Sequence, residues 1–299
     1  MLNWNSTNHV KEELIKQEYL STDSIDLAIY LSSKLNKPLL IEGPPGVGKT
    51  EIAKCLAKIA QVDLIRLQCY EGLGVEHAIY EWNYQSQLLA LRLMDSEQNS
   101  LEEKEAHIFS DKYLLKRPLL QSISSDKSSV LLIDELDRSD EEFESYLLEI
   151  LSDWQISIPE LGTIKAKTVP TVIITSNRTR DLSEALRRRC IYMWIDYPEF
   201  DKELSILQTK MPNINQKLAE QICLFMKELR QLQLKKSPSI AESLDWAFAL
   251  SEMHYEHLDK QIIEDTLGIV LKDWQDLRDS QDSLSELLER VGVVQKLSS

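Results

Sequence analysis

Gly43-Pro44-Pro45-Gly46-Val47-Gly48-Lys49-Thr50 fits the pattern G-x-x-x-x-G-K-[ST], a glycine-rich turn that wraps nucleotide phosphates. Before it, Pro38-Leu39-Leu40-Ile41-Glu42 is a short apolar run suited to a buried strand. After it, Ile52, Ala53, Leu56 and Ile59 recur at helical spacing from Glu51 to Ala60. Strand, turn and helix start suit an anion. Glycines let backbone N–H groups crowd around it, and the helix N-terminus adds a favourable dipole. In this frame Lys49 reaches the β- and γ-phosphates and the Thr50 hydroxyl ligates Mg²⁺. Gly43 through Thr50, together with Glu51, make up the candidate nucleotide contact.

The 299 residues suffice for one large domain or two smaller ones, and 43% hydrophobic content supports a core. No apolar run is long enough to span a membrane, and Met1 to Val10 is too polar for a signal peptide. Cys55, Cys69, Cys190 and Cys223 lack metal-ligand spacing. They read as reduced, mostly buried thiols of a cytoplasmic protein. A net charge of −15 argues against a broad nucleic-acid footprint, which depends on phosphate neutralisation by Lys and Arg.

Along the chain, helical spacing covers 10–19 and 24–35, then strands are expected at 38–42 and 63–68. Residues 76–94 predict one aromatic-rich helix, and 95–104 a polar loop or frayed helix. Val130-Leu131-Leu132-Ile133 marks a strand over 129–134, and 141–151 a helix. Two alternating runs, 155–159 and 163–167, flank Glu160-Leu161-Gly162 and predict a β-hairpin. Strands follow at 171–175 and 190–195. From Glu199 only helical patterns remain, over 199–210, 214–234, 239–257, 260–276 and 282–293. This change sets a boundary between an α/β domain, 1–198, and an all-α domain, 199–299.

The later strand ends decide the chemistry, because ligands of open α/β sheets collect at the carboxyl ends of strands. The strand at 129–134 ends in Asp134-Glu135. Asp134 is placed to hold Mg²⁺ beside Thr50, and Glu135 to polarise an attacking water as general base. The strand at 171–175 ends in Ser176-Asn177, whose amide can orient that water. Arg187-Arg188-Arg189 precede the last strand; such a run repels itself unless anions or carboxylates lie near. An arginine offered to a neighbouring subunit's γ-phosphate fits, with Arg189 favoured over Arg188; the plainer reading is a solvated basic turn. Arg138 reads as a subunit-bridging residue, the alternative being a local ion pair. Trp82 and Tyr84 either contact a protein substrate or pack their segment onto the body. His254 and His257 sit three apart on an expected helix with no third ligand nearby, and read as a solvated face.

In this order the pieces resemble the AAA+ ATPases, over residues 20 to about 295. Residues 43–50, Asp134-Glu135, Asn177 and Arg189 look like Walker A, Walker B, sensor 1 and arginine finger. The resemblance implies a parallel sheet of order 5-1-4-3-2 with helices on both faces and a C-terminal all-α lid. It also implies ATP and Mg²⁺ as ligands, ATP in the crevice between the two parts, and a ring, a hexamer, of identical subunits. The segment 69–94 and the hairpin at 155–167 look like the helix-2 and pre-sensor-1 insertions of the MoxR branch. Arg66 to Leu73, Tyr80 to Tyr84, Gln87 to Leu89 and Ser237 to Trp246 are similar to the CoxD-type subgroup. That subgroup implies an ATP-driven chaperone maturing a molybdenum hydroxylase of the carbon-monoxide dehydrogenase type, with a von Willebrand factor A domain partner. One departure stands out: where many lids carry Ser-Pro-Arg, this chain has Ser237-Pro238-Ser239, leaving only Lys235 or Lys236 nearby. The departure keeps open a nucleotide-gated scaffold with slow hydrolysis. A DNA-dependent motor of restriction-system type is weakened by the charge.

Overall fold

The computed structural model describes residues 4–94 and 100–292. Five parallel strands form the main sheet: β1 (Leu39–Glu42), β2 (Asp63–Gln68), β3 (Ser129–Asp134), β4 (Thr171–Ser176) and β5 (Ile191–Trp194). They run in the order β5-β1-β4-β3-β2, as the family resemblance implies. β1 and β3 are buried along their whole length, which explains their unbroken apolar runs, since strands covered on both faces lose alternation. The register pairs Glu42 with Ser176 and Trp194, and Gln68 with Asp134, so the polar strand ends come level on one edge of the sheet.

The chain forms two compact units. The first holds the sheet, its flanking helices and a core that includes Leu40, Leu131, Ile133, Leu147 and Ile174. The second begins at Ile195 and also takes in Glu18–Ser21 and Gly43–Lys49. No periodicity in the sequence displays that membership of the phosphate-loop residues. The second unit packs helices Phe200–Lys210, Gln216–Leu229, Ile240–Glu252, Lys260–Val270, Trp274–Asp282 and Leu284–Val291. Its core centres on Phe225 and Trp246, with ring centroids 5.3 Å apart. Truncating either ring to alanine would cost on the order of 3–5 kcal/mol. Side-chain caps set the helix starts: Ser239 and Glu242 form a reciprocal capping box at the helix that follows Pro238.

Several elements differ from the sequence reading. The single helix expected over 76–94 is a short turn of helix Val75–Ala78, a strand Tyr80–Trp82, and a helix Tyr84–Met94. Tyr80–Trp82 pairs antiparallel with Leu114–Lys116, a partner too far along the chain to be read locally. Of the polar stretch 95–104, residues 95–99 lie outside the described residues, and Leu101–Ile108 is a capped helix. Arg187–Arg189 end a short helix, Glu184–Arg189, rather than a basic turn. The helix expected over 260–276 stops at Val270, and a new one starts at Trp274, capped by the Asp273 carboxylate. His254 and His257 lie beyond the end of helix Ile240–Glu252, so they share no helical face. The hairpin is present as Gln155–Ile158 paired with Gly162–Lys165. No helix of the described residues is long and apolar enough to cross a membrane.

Candidate nucleotide-binding and catalytic site

The candidate residues fall in two clusters, and the chain passes from one to the other at the Lys49–Thr50 peptide bond. The first is the loop itself. A side chain at Gly43 would put its Cβ 2.0 Å from the Ile195 carbonyl oxygen. One at Gly46, where φ is +72°, would fall 2.0 Å from Ser239 Oγ. Both positions therefore require glycine. Lys49 is buried, and its ammonium donates to the carbonyls of Gly43 at 2.7 Å and Pro44 at 2.6 Å. The ammonium thus sits within its own loop, at the start of helix Lys49–Ala60. Alongside lies a cavity of about 530 Å³ lined by Pro45, Gly46, Tyr197, Lys236, Ser239 and Lys272 among others.

The second cluster is built on strand ends. Asp134 is buried and accepts from Thr50 Oγ1 at 3.0 Å and Thr175 Oγ1 at 2.6 Å through Oδ1. Its Oδ2 accepts from Arg66 Nε at 3.1 Å and Nη2 at 2.5 Å. Thr50 and Asp134 are hard oxygen donors side by side, a pair that fits Mg²⁺, which keeps several waters and few protein ligands.

Glu135 leaves the strand with φ 55° and ψ 49°, a left-handed turn uncommon outside glycine. The turn is fixed by its backbone N–H, which donates to Thr175 Oγ1 at 2.9 Å. It aims the carboxylate at three donors: Asn177 Nδ2 at 3.3 Å, Gln68 Nε2 at 3.0 Å and Arg138 Nη1 at 3.1 Å. Glu135 and Asn177 are thus in contact across the strand ends. Arg138, its side chain 57% exposed, makes a local ion pair with Glu135.

Asp137 anchors the segment that carries Asn177. Its buried carboxylate accepts from the N–H groups of Asn177 at 3.0 Å and Thr179 at 2.9 Å and from the Thr179 hydroxyl at 2.7 Å. Burial alone would raise the Asp137 pKa, but these donors outweigh it and hold the group below the usual carboxylate range. Arg180 ties the same segment to Glu144 and to the Ser139 carbonyl. Cys69, just past β2, is buried beside Asp134, Asp137 and Glu135; burial first and those carboxylates second push its thiol up to about 12.

The other residues singled out by sequence fall in distinct places. Arg189 is exposed and donates to Ser152 Oγ at 2.8 Å and the Ala185 carbonyl at 3.2 Å. Arg188 pairs with Glu184 on its own helix, whereas Arg187 turns inward to Glu42 at 3.2 Å and also lies 3.5 Å from the exposed Asp181. Glu51 pairs with Lys54 at 3.0 Å. Trp82 packs edge-on against Phe109 at 5.3 Å, while Tyr84 is 64% exposed. Lys235 and Lys236 are held by their backbone N–H groups, which donate to Asp276 at 2.9 and 3.0 Å. In this unit Arg230, its side chain 9% exposed, is bidentate to Glu203 at 2.6 and 2.8 Å and donates to the Pro238 carbonyl at 2.8 Å.

Sequence reasoning gave no site role to Arg66 and Gln68, named only within a subgroup-like stretch, and missed Thr175, Asp137 and Arg230. For the first two a signal exists: Arg66 and Gln68 are two apart at the end of a strand, hence on one face of it. Nothing local marks the others, whose partners lie far along the chain.

Known proteins resemble this chain at two levels. The model of the family "ATPase family associated with various cellular activities (AAA)" matches residues 39–197. A protein of Staphylococcus aureus (strain NCTC 8325), described only as uncharacterized, is 27% identical over 252 residues, covering 78% of this chain and 85% of its own. A Staphylococcus haemolyticus protein of like description is 24% identical over 270 residues, covering 85% of this chain and 94% of its own. Among solved structures, a point mutant of Thermotoga maritima RuvB superposes with a TM-score of 0.50 at 18% identity, over 99% of this chain and 86% of that one. The last is a likeness of fold.

Proposed function

Because the chain belongs to the AAA family of ATPases, we propose that it hydrolyses ATP with Mg²⁺ as a MoxR-type remodelling chaperone. The observation that carries the hydrolytic reading is the side-by-side placement of Thr50 with Asp134 at 3.0 Å and of Glu135 with Asn177 at 3.3 Å. A nucleotide-binding module without hydrolysis has no need of a second carboxylate held against an amide at the strand ends.

In this reading Lys49 and the N–H groups of Gly43 through Thr50 take the phosphates, and Glu51 adds to the helix start. Thr50 and Asp134 would hold Mg²⁺, which would supply positive charge to the phosphates. Glu135 takes a proton from the attacking water, and the Asn177 amide orients that water. Arg189, exposed at the end of its helix, serves a neighbouring subunit. A finger acting in trans calls for a heterologous interface that closes into a ring, here a hexamer.

The finer assignment rests on the sequence motifs of the CoxD-type subgroup. It makes the client a molybdenum hydroxylase under maturation and the partner a von Willebrand factor A domain protein, in the cytoplasm. Four buried cysteines, all present as thiols, suit a reducing compartment. The strand insert at Tyr80–Trp82 and the hairpin ahead of β4 supply elements beyond a minimal ATPase sheet.

The test measures ATP turnover and nucleotide affinity for the wild type, Lys49→Ala and Glu135→Gln. Lys49→Ala should abolish binding. Glu135→Gln should keep binding and lose turnover by roughly 10²- to 10⁴-fold. Unchanged turnover in either variant would end the hydrolase reading.

A further inference from the structure

Glu42 is the last residue of β1, directly before Gly43, and it is fully buried at 0% exposure. Both of its carboxylate oxygens are held. Oε1 accepts from Arg187 Nη2 at 3.2 Å, and Oε2 from the Tyr192 hydroxyl at 3.1 Å. Arg187 lies on helix Glu184–Arg189, and Tyr192 on β5, so the two donors bracket the junction between that helix and the edge strand. The β1–β5 register, Glu42 opposite Trp194, keeps this junction beside the start of the loop.

The arrangement is costly. A carboxylate is taken wholly out of water, and Arg187 Nε is buried with no hydrogen-bond partner among the described residues. Buried ion pairs seldom add net stability over apolar packing, while removing one partner strands a charge. A pair with an unmet donor is a poor device for stability alone. It sits where the chain enters the phosphate loop, and its other end lies two residues before the exposed Arg189.

We propose that Arg187 is a positioning residue. Through the Glu42 carboxylate, its guanidinium fixes the root of the phosphate loop within its own subunit and links that root to the helix presenting Arg189. The proposal deepens the ATPase reading and rests on it. It divides the arginine run by address. Arg187 acts inward and in cis through Glu42, and Arg189 acts outward.

The test uses the full chain. ATP turnover and melting temperature are measured for Arg187→Met, Arg187→Lys and the double variant Glu42→Gln/Arg187→Met. Each is also mixed with Lys49→Ala subunits. Arg187→Met should lose roughly 10- to 100-fold in kcat, the scale of a small misplacement of catalytic groups. Arg187→Lys should recover part of it. The double variant, with no stranded charge, should regain melting temperature yet stay slow. Mixing with Lys49→Ala should not rescue Arg187→Met, because the missing contact lies inside the subunit that binds ATP. Rescue in the mixture would make Arg187 a residue acting in trans and overturn the proposal. So would recovery of turnover together with melting temperature in the double variant, which would reduce the pair to a structural role. Normal turnover in Arg187→Met beside an inactive Lys49→Ala would sink this proposal alone. Normal turnover in Lys49→Ala would sink the ATPase reading and this proposal with it.

Discussion

Gln68 donates its side-chain amide to Glu135 Oε2 at 3.0 Å, joining the end of β2 to the carboxylate that follows β3. The bond occupies one oxygen of the carboxylate that the proposed mechanism offers to water. Gln68→Leu removes one hydrogen bond worth about 1 kcal/mol. Basal ATP turnover should rise by about five-fold on that scale, read in a steady-state phosphate-release assay. A fall in turnover would show that Gln68 assists the base instead of restraining it.

Glu203 and Arg230 form the most buried ion pair of the helical unit among the described residues, with side chains 1% and 9% exposed. Ser243 Oγ also donates to Glu203 at 2.5 Å, and the guanidinium lies over the Tyr197 ring. Glu203→Ala leaves the guanidinium without its counter-charge. The expected loss is about 3–5 kcal/mol, seen as a lower denaturation midpoint in urea. Arg230→Met with Glu203→Leu should recover much of it.

Asp137 makes stability depend on acid. Its folded pKa is depressed by the donors at Thr179 and Asn177, working against burial. A group with a depressed folded pKa contributes stability that is fully present above the ordinary aspartate value, near 4, and is lost as pH falls through the folded value. Thermal melts of the wild type from pH 7 down to pH 3 should therefore steepen below about pH 4. Asp137→Asn should melt lower at pH 7 and show a shallower decline over that acid range.

Burial pushes the thiols of Cys69, Cys190 and Cys223 up to about 12. Thiolate is the reactive form, so these cysteines should resist iodoacetamide at pH 8 in the folded protein and label fully in denaturant. Mass spectrometry reads the difference. Rapid native labelling of any of the three would contradict the packing around it.

The sequence by itself determined the phosphate loop, the places of the five main strands and the carboxylates that end β3; the order of those strands came through the family resemblance. These are local or periodic signals: four fixed loop positions, continuous apolar runs, and polar residues at strand ends. It also showed the change from α/β to all-α, because strand patterns stop at Tyr197-Pro198. What only the tertiary structure decided are pairings between distant residues. The Tyr80–Trp82 strand needed Leu114–Lys116, and the left-handed turn at Glu135 needed the Thr175 hydroxyl. The inward course of Arg187 needed Glu42, 145 residues away, and the fate of Arg230 needed Glu203. Three adjacent arginines look alike in sequence, and only their partners in the fold tell them apart. A charge enters the interior only where partners wait, a counter-charge for Arg187 and backbone carbonyls for Lys49, and that meeting belongs to the fold.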